Sequence, residues 1–159
     1  MTELVKKIQK EVIAPAMAYL PANMNSKKSE VQLLAMGLQE SRLIHRKQIG
    51  GPAKGLWQFE KGGGVKGVMT HRASVALAKE VLVKRGYEAS INAAFDAIET
   101  DDVLACVFAR LLLWTDASPL PELDQERRAW NLYKRVWRPG KPHEAKWPTN
   151  YAEALKAVR

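Results

Sequence analysis

Between Val103 and Trp114 the chain is apolar on nearly every side of a helix, and a segment of that kind is stable only when other elements enclose it. Thr100-Asp101-Asp102 precedes it with a cap and two carboxylates at the positive end of the helix dipole. The rest of the chain must supply the surroundings of this helix.

It does so chiefly with further helices. Leu4, Val5, Ile8, Val12 and Ile13 recur at helical spacing from Thr2 to about Tyr19, with Pro15 predicting a kink or an end. After a turn over 21–25, Ser29 and Gln32 form an expected capping box for a second helix. Val31, Leu34, Ala35 and Leu38 make one apolar stripe of that helix, and Leu33, Met36, Gly37 and Glu40 lie on another. Glu40 thus arrives on an apolar row near the end of a core helix, an expensive place for a carboxylate. Thr70 is the expected cap of a helix through Ala73, Leu77, Val81 and Leu82 that stops at Gly86, and Ser90 of a short one through Ile98. A helix with Trp130, Tyr133, Val136 and Trp137 ends at Pro139-Gly140, and a last short one runs from Tyr151 to about Val158.

Most of the 10 glycines fall between Gly50 and Gly67, around Leu56-Trp57-Gln58-Phe59, which predicts a loop or short extended hairpin. The expected fold is mainly α, a single domain over residues 1–159, with this glycine-rich loop or hairpin beside the Glu40 helix.

A formal net charge of +8 favours anionic partners through salt-screened attraction: nucleic acid, an anionic membrane surface or an anionic cell-wall polymer. The single cysteine, Cys106, excludes an internal disulfide, and its apolar neighbours predict a buried thiol. Lys6, Lys7 and Lys10 interrupt any signal-peptide core near the start, and no run reaches the roughly 20 apolar residues of a membrane span. Synthesis in the cytoplasm without a signal peptide or transmembrane segment is expected. His45, His71 and His143 have no ligand-like spacing, and Gly62-Gly63-Gly64 lacks the order of a phosphate loop, so neither metal nor cofactor is expected.

The most informative stretch is Gln39-Glu40-Ser41, a polar spacer over 42–49, then Gly50-Gly51-Pro52-Ala53-Lys54-Gly55-Leu56-Trp57-Gln58-Phe59. It resembles the lysozyme-like superfamily, in particular the soluble lytic transglycosylase and goose-type lysozyme branch in its bacteriophage form. The resemblance implies a lysozyme-like fold with Glu40 as the catalytic acid and Ser41 orienting the reacting sugar. It also implies that Gly55, Leu56, Trp57 and Gln58 form the substrate-binding element, with Trp57 standing where Met is commoner. Trp130-Asn131-Leu132-Tyr133 sits where the family has a Tyr-Asn-Ala-Gly-like segment, with Trp130 and Tyr133 replacing the Tyr and the Gly, and Tyr151 resembles a family tyrosine close to the catalytic Glu. The implied partner is bacterial peptidoglycan, cleaved after N-acetylmuramic acid without a cofactor. The implied protein is a monomer made in the bacterial host cytoplasm and acting at the cell wall, either as an endolysin after release or as a virion component that opens the wall during entry.

The residue types suit that chemistry. Protonating a glycosidic oxygen at neutral pH takes a carboxylic acid whose pKa desolvation has raised, which the apolar row around Glu40 can supply. Gly55 is expected to let backbone approach the sugar, and Trp57 and Phe59 to stack on its faces. A hydrolase also needs a second carboxylate, for which Glu60 is the first candidate ahead of Asp96, Glu99, Asp101 and Asp102, whereas a transglycosylase uses the sugar's own hydroxyl. The rival reading is a non-catalytic basic helical module that binds nucleic acid or a virion partner through Arg127, Arg128, Lys134, Arg135 and Arg138.

Overall fold

A computed structural model describes residues 2–159. They form α1 (Thr2–Ile8), α2 (Ala14–Met17), α3 (Lys27–Ser41), α4 (Lys66–Thr70), α5 (Val75–Lys84), α6 (Ile91–Ile98), α7 (Asp102–Trp114), α8 (Glu126–Trp137) and α9 (Trp147–Val158). Among the described residues no strand forms, and the only pairing is two isolated antiparallel bridges, Lys47 with Lys54 and Lys54 with Phe59. No helix among them is long and apolar enough to cross a membrane.

As its composition requires, α7 runs through the middle of one contiguous core. Every residue from Leu104 to Leu113 is buried, and α2, α3, α4, α5 and α6 all pack on it. Asp101 caps it by accepting the Leu104 N–H at 3.0 Å, while Arg85 holds the same carboxylate with two bonds of 2.9 Å. Asp102 pairs with Arg46 at 2.9 and 2.7 Å, which ties the loop after α3 to the start of the central helix.

α3 is buried on both of its predicted stripes, from Val31 to Leu38, and lies along α9. Its start differs from the expectation at Ser29. The cap is Ser26, whose Oγ accepts the Ser29 N–H at 3.1 Å while Ser29 Oγ accepts the Ser26 N–H at 3.0 Å. Ser29 therefore sits inside the first turn. Gln32 is buried and donates to the Ala129 carbonyl at 3.1 Å, fastening α3 to α8 instead of capping anything.

Other boundaries move for local physical reasons. Pro15 neither ends nor breaks the first helix, because the π-helical turn Gln9–Ile13 precedes it, widens the backbone and accommodates the missing N–H and the bulky ring. The glycine-rich segment is helical from Lys61 onward, as a π turn Lys61–Val65 that feeds α4. Val65, Val68 and Met69 bury one face there, which outweighs the cost of ordering three glycines. Only the part before it, 47–59, is the expected loop. Thr70 ends α4, its hydroxyl donating to Lys66 O at 2.7 Å, and α5 begins after Ser74. α9 starts at Trp147, with Pro148 in its first turn, where a missing N–H costs nothing.

Gly37 lets α3 meet the loop closely. A Cβ there would collide with the side chain of buried Leu43 and sit 3.3 Å from Trp57 Nε1, which donates to Leu33 O at 2.8 Å. Gly→Ala inside a helix ordinarily stabilises by about 1 kcal/mol. At Gly37 overpacking, about 1–3 kcal/mol, wins. Gly37→Ala is expected to lower stability by about 1–2 kcal/mol in urea unfolding, and an unchanged or raised midpoint would refute this packing account.

Candidate active site

Four consecutive residues at the end of α3 reach in different directions. Gln39 donates to Pro142 O at 2.7 Å and His143 O at 3.0 Å and accepts the Asn150 amide at 2.8 Å, so the loop before α9 and α9 itself are both pinned to it. Glu40 accepts the Tyr133 hydroxyl of α8 at 2.6 Å. Ser41, buried, donates to Leu56 O at 2.5 Å and accepts the Leu43 N–H at 3.2 Å. Arg42 donates to Asn150 Oδ1 at 2.8 Å. The helix stops here because Arg42 and Leu43 are both left-handed, with φ of 60° and 58°, a conformation that costs a side-chain-bearing residue about 1–2 kcal/mol. Those hydrogen bonds offset the strain and hold the Glu40 side chain in one place.

The surroundings of Glu40 alter its acidity. Burial among apolar neighbours raises its pKa from the ordinary 4.5 to about 7; the Tyr133 hydrogen bond opposes that rise, and the negative charge of Glu60 adds to it. Burial first, and then Glu40 itself, push the Tyr133 phenol far above its usual range, so Tyr133 remains a donor at any working pH. Tyr133 occupies Oε2, and Oε1 takes no hydrogen bond among the described residues. A carboxyl with one oxygen clamped and the other free can hand a proton to a group arriving from the open side.

The other expected site residues divide between those at the carboxyl and those that support it. Ser41 does not face an open site: its hydroxyl is spent on backbone, and it positions the loop. Trp57 and Phe59 are 0% and 2% exposed, so neither is a stacking surface for a sugar; both belong to the core that fixes the loop. Leu56 is likewise wholly buried. Gly55, at φ 81°, is required by protein instead of ligand, since a Cβ would lie 2.7 Å from Ile98 O. Gln58, at φ 51°, is partly exposed, and its amide donates to Gly55 O at 2.9 Å, leaving its oxygen without a donor among the described residues. Tyr151 is buried and donates to Leu123 O at 2.9 Å, so it does not reach Glu40. It touches Trp147, whose ring stacks on Tyr133 at 5.5 Å and 8°. The tyrosine at the acid is Tyr133, standing in the segment where a glycine was expected. Glu40 on an apolar row, needing a buried partner, was the signal that could have found it.

Glu60 is exposed, and it joins Lys61, Lys54 and Phe95 in the wall of a cavity of about 490 Å³. Trp137 lies one turn beyond Tyr133 on the same face of α8, partly exposed, its indole donating to Trp57 O at 2.9 Å and its ring 5.7 Å from Phe59. Among the described residues no cluster of His, Cys, Asp and Glu is disposed to hold a metal ion.

A carboxyl whose folded pKa exceeds its unfolded value stabilises the fold only while protonated. The penalty for ionising Glu40 is absent below pH 4.5 and complete above about 7. Glu40→Gln removes it. The variant should match wild type in stability near pH 4 and exceed it by up to about 3 kcal/mol at pH 8, because each tenfold change in proton affinity is worth about 1.4 kcal/mol. Urea unfolding at both pH values checks this, and a gain independent of pH would contradict the raised pKa.

Comparison with protein-family models, with curated proteins and with solved structures finds no match for this chain.

Proposed function

We propose that this chain is a lysozyme-like enzyme that cleaves the glycan strands of bacterial peptidoglycan between N-acetylmuramic acid and N-acetylglucosamine, with Glu40 as its general acid. The observation that carries this reading is the Glu40 carboxyl itself, with a pKa of about 7, one oxygen fixed by Tyr133 and the other free. Such a group is costly to the fold and suits proton delivery to a poor leaving group near neutral pH. The Glu40-Ser41 pair and the Gly55-Leu56-Trp57-Gln58 loop, which resemble the family in sequence, are joined by the hydrogen bond from Ser41 to Leu56 O.

In this reading Glu40 gives the proton on Oε1 to the glycosidic oxygen as the bond to the muramic anomeric carbon breaks. Positive charge grows at that carbon, and Glu60 is the exposed carboxylate whose field already reaches Glu40. The reaction ends when water attacks, leaving a reducing end, or when the muramic 6-hydroxyl attacks and closes an anhydro ring, and in either case the proton of the attacking hydroxyl returns to Glu40. In the same reading the free oxygen of Gln58 binds a sugar hydroxyl or amide, and Trp137 takes the stacking role that buried Trp57 and Phe59 cannot fill. Arg127 and Arg135 of the basic helix are paired with Glu144 and Asp116, which weakens the alternative of a nucleic-acid-binding module.

Purified sacculi incubated with wild type should release muropeptides, anhydro-ended for a transglycosylase or reducing-ended for a lysozyme, and Glu40→Gln should release none while remaining folded. Products from both proteins, or from neither, would overturn the assignment of Glu40. Because the active form is protonated, kcat/KM should fall as pH rises through about 7. Tyr133→Phe removes a hydrogen bond that favours the ionised carboxylate, so this alkaline limb should move upward by about one pH unit, with a lower plateau. A limb displaced downward would show that Tyr133 does not stabilise the anion.

A further inference from the structure

Arg110 is the most anomalous charged residue of the fold. It sits on the central helix α7, only 3% exposed. Its Nε donates to Met24 O at 2.8 Å, and its guanidinium lies 5.6 Å from the Trp114 ring centroid. Among the described residues no carboxylate pairs with it, and its two terminal nitrogens have no protein acceptor. Burial lowers its pKa to about 10. A buried cation without a counter-charge is ordinarily replaced by an apolar residue, because desolvation outweighs a single carbonyl contact.

Arg110 lines a cavity of about 660 Å³. Lys28 and the N-cap Ser26 of α3 line it together with Leu113, Trp114, Pro119 and Leu120. Lys28 is engaged only with exposed Glu122 at 3.4 Å, a contact of little energy that it can exchange. Asp116 also lines the space, but its carboxylate is held by Arg135 at 2.9 and 3.0 Å and by the Ser118 N–H at 3.2 Å. The cavity therefore offers a planar two-nitrogen donor, a second mobile cation, and an apolar wall.

We infer that this cavity is a binding site for a carboxylate carrying an apolar group, with Arg110 gripping both oxygens, Lys28 closing over them and the Leu113 to Leu120 wall receiving the apolar part. A guanidinium fork matches a carboxylate bidentately. The Asp116 charge in the same wall favours a monoanion over a dianionic phosphate. The site is distinct from the candidate active site. Lys28 and Glu40 lie near opposite ends of α3, about 18 Å apart along its axis.

The test follows the indole N–H resonance of Trp114, which lines the same cavity, in the full chain at constant ionic strength during titration with N-acetyl-leucinate, its neutral amide, and inorganic phosphate. A saturable shift with the carboxylate and none with the amide is expected, weakened several-fold in Lys28→Ala and absent in Arg110→Met. Should Arg110→Met fail to fold, Lys28→Ala decides. Peptides ending in a free leucine carboxylate separate the sources: tighter binding than N-acetyl-leucinate assigns a chain end, and weaker binding assigns a small carboxylate. No saturable shift, equal shifts with the amide, no effect of Lys28→Ala, or tighter binding of phosphate would each overturn the proposal.

Discussion

The abrupt end of α3 is the constraint on which the rest of this structure depends. A helix buried on both faces must stop inside the protein, where unsatisfied carbonyls are costly. It stops through two successive left-handed residues, Arg42 and Leu43, a conformation that persists only if the surroundings hold it. Gln39, Glu40, Ser41 and Arg42 provide that hold, toward the 142–143 loop, α8, the 55–56 loop and α9 respectively. The residues that terminate the helix are thus also the ones that assemble the elements around Glu40. Packing and site are one network, and it includes Gly37, where a Cβ would meet Leu43, and Gly55, where one would meet Ile98.

The aromatic residues extend this network outward. Trp147 stacks on Tyr133, Tyr133 and Trp147 both pack against Trp130, and Trp147 touches Tyr151. α8 and α9 are thereby fixed to each other behind the Tyr133 hydroxyl, so that the single hydrogen bond to Glu40 comes from a donor that cannot turn away. Tyr151 is thus linked to Tyr133 only through the Trp147 ring. A second chain, from Trp137 to Trp57 O and from Trp57 to Leu33 O, fixes the loop on the other side.

Much of the architecture was legible in the sequence, because its signals are local and periodic. The all-round apolar run of α7, the double stripe of α3, the Ser90 cap and the Pro139-Gly140 stop each depend on residues within a few turns. What failed did so where tertiary contacts override local preference. Three adjacent glycines read as a loop, yet Val65, Val68 and Met69 anchor them as a helix. Pro15 read as a break, yet one wide turn absorbs it. At the site, Glu40 was legible from its misplacement on an apolar row, whereas Trp57, Phe59 and Ser41 were assigned outward roles although every one is buried. Sequence spacing places residues in a loop without saying which way each points, and an aromatic fits a core as well as a sugar. Tyr133 could not be found by periodicity at all, since on its own helix it is simply one more member of a buried stripe.

Burying a carboxyl with a single hydrogen-bonded oxygen and burying a guanidinium with a single carbonyl acceptor are the same physical cost incurred twice, at the two ends of α3. In both places a neutral, well-packed side chain would leave the fold more stable. The costs differ in what they leave available. At Glu40 the environment brings the proton affinity near neutrality, so the group can gain or lose its charge near neutral pH. At Arg110 the guanidinium, with a pKa of about 10, stays charged near neutral pH and can only attract. A titrating acid with a free oxygen is suited to chemistry, and a fixed cation with free donors is suited to holding an anion. The fold carries both because α7 and the α8 to α9 aromatic stack supply enough apolar burial to offset two such sites in one small domain.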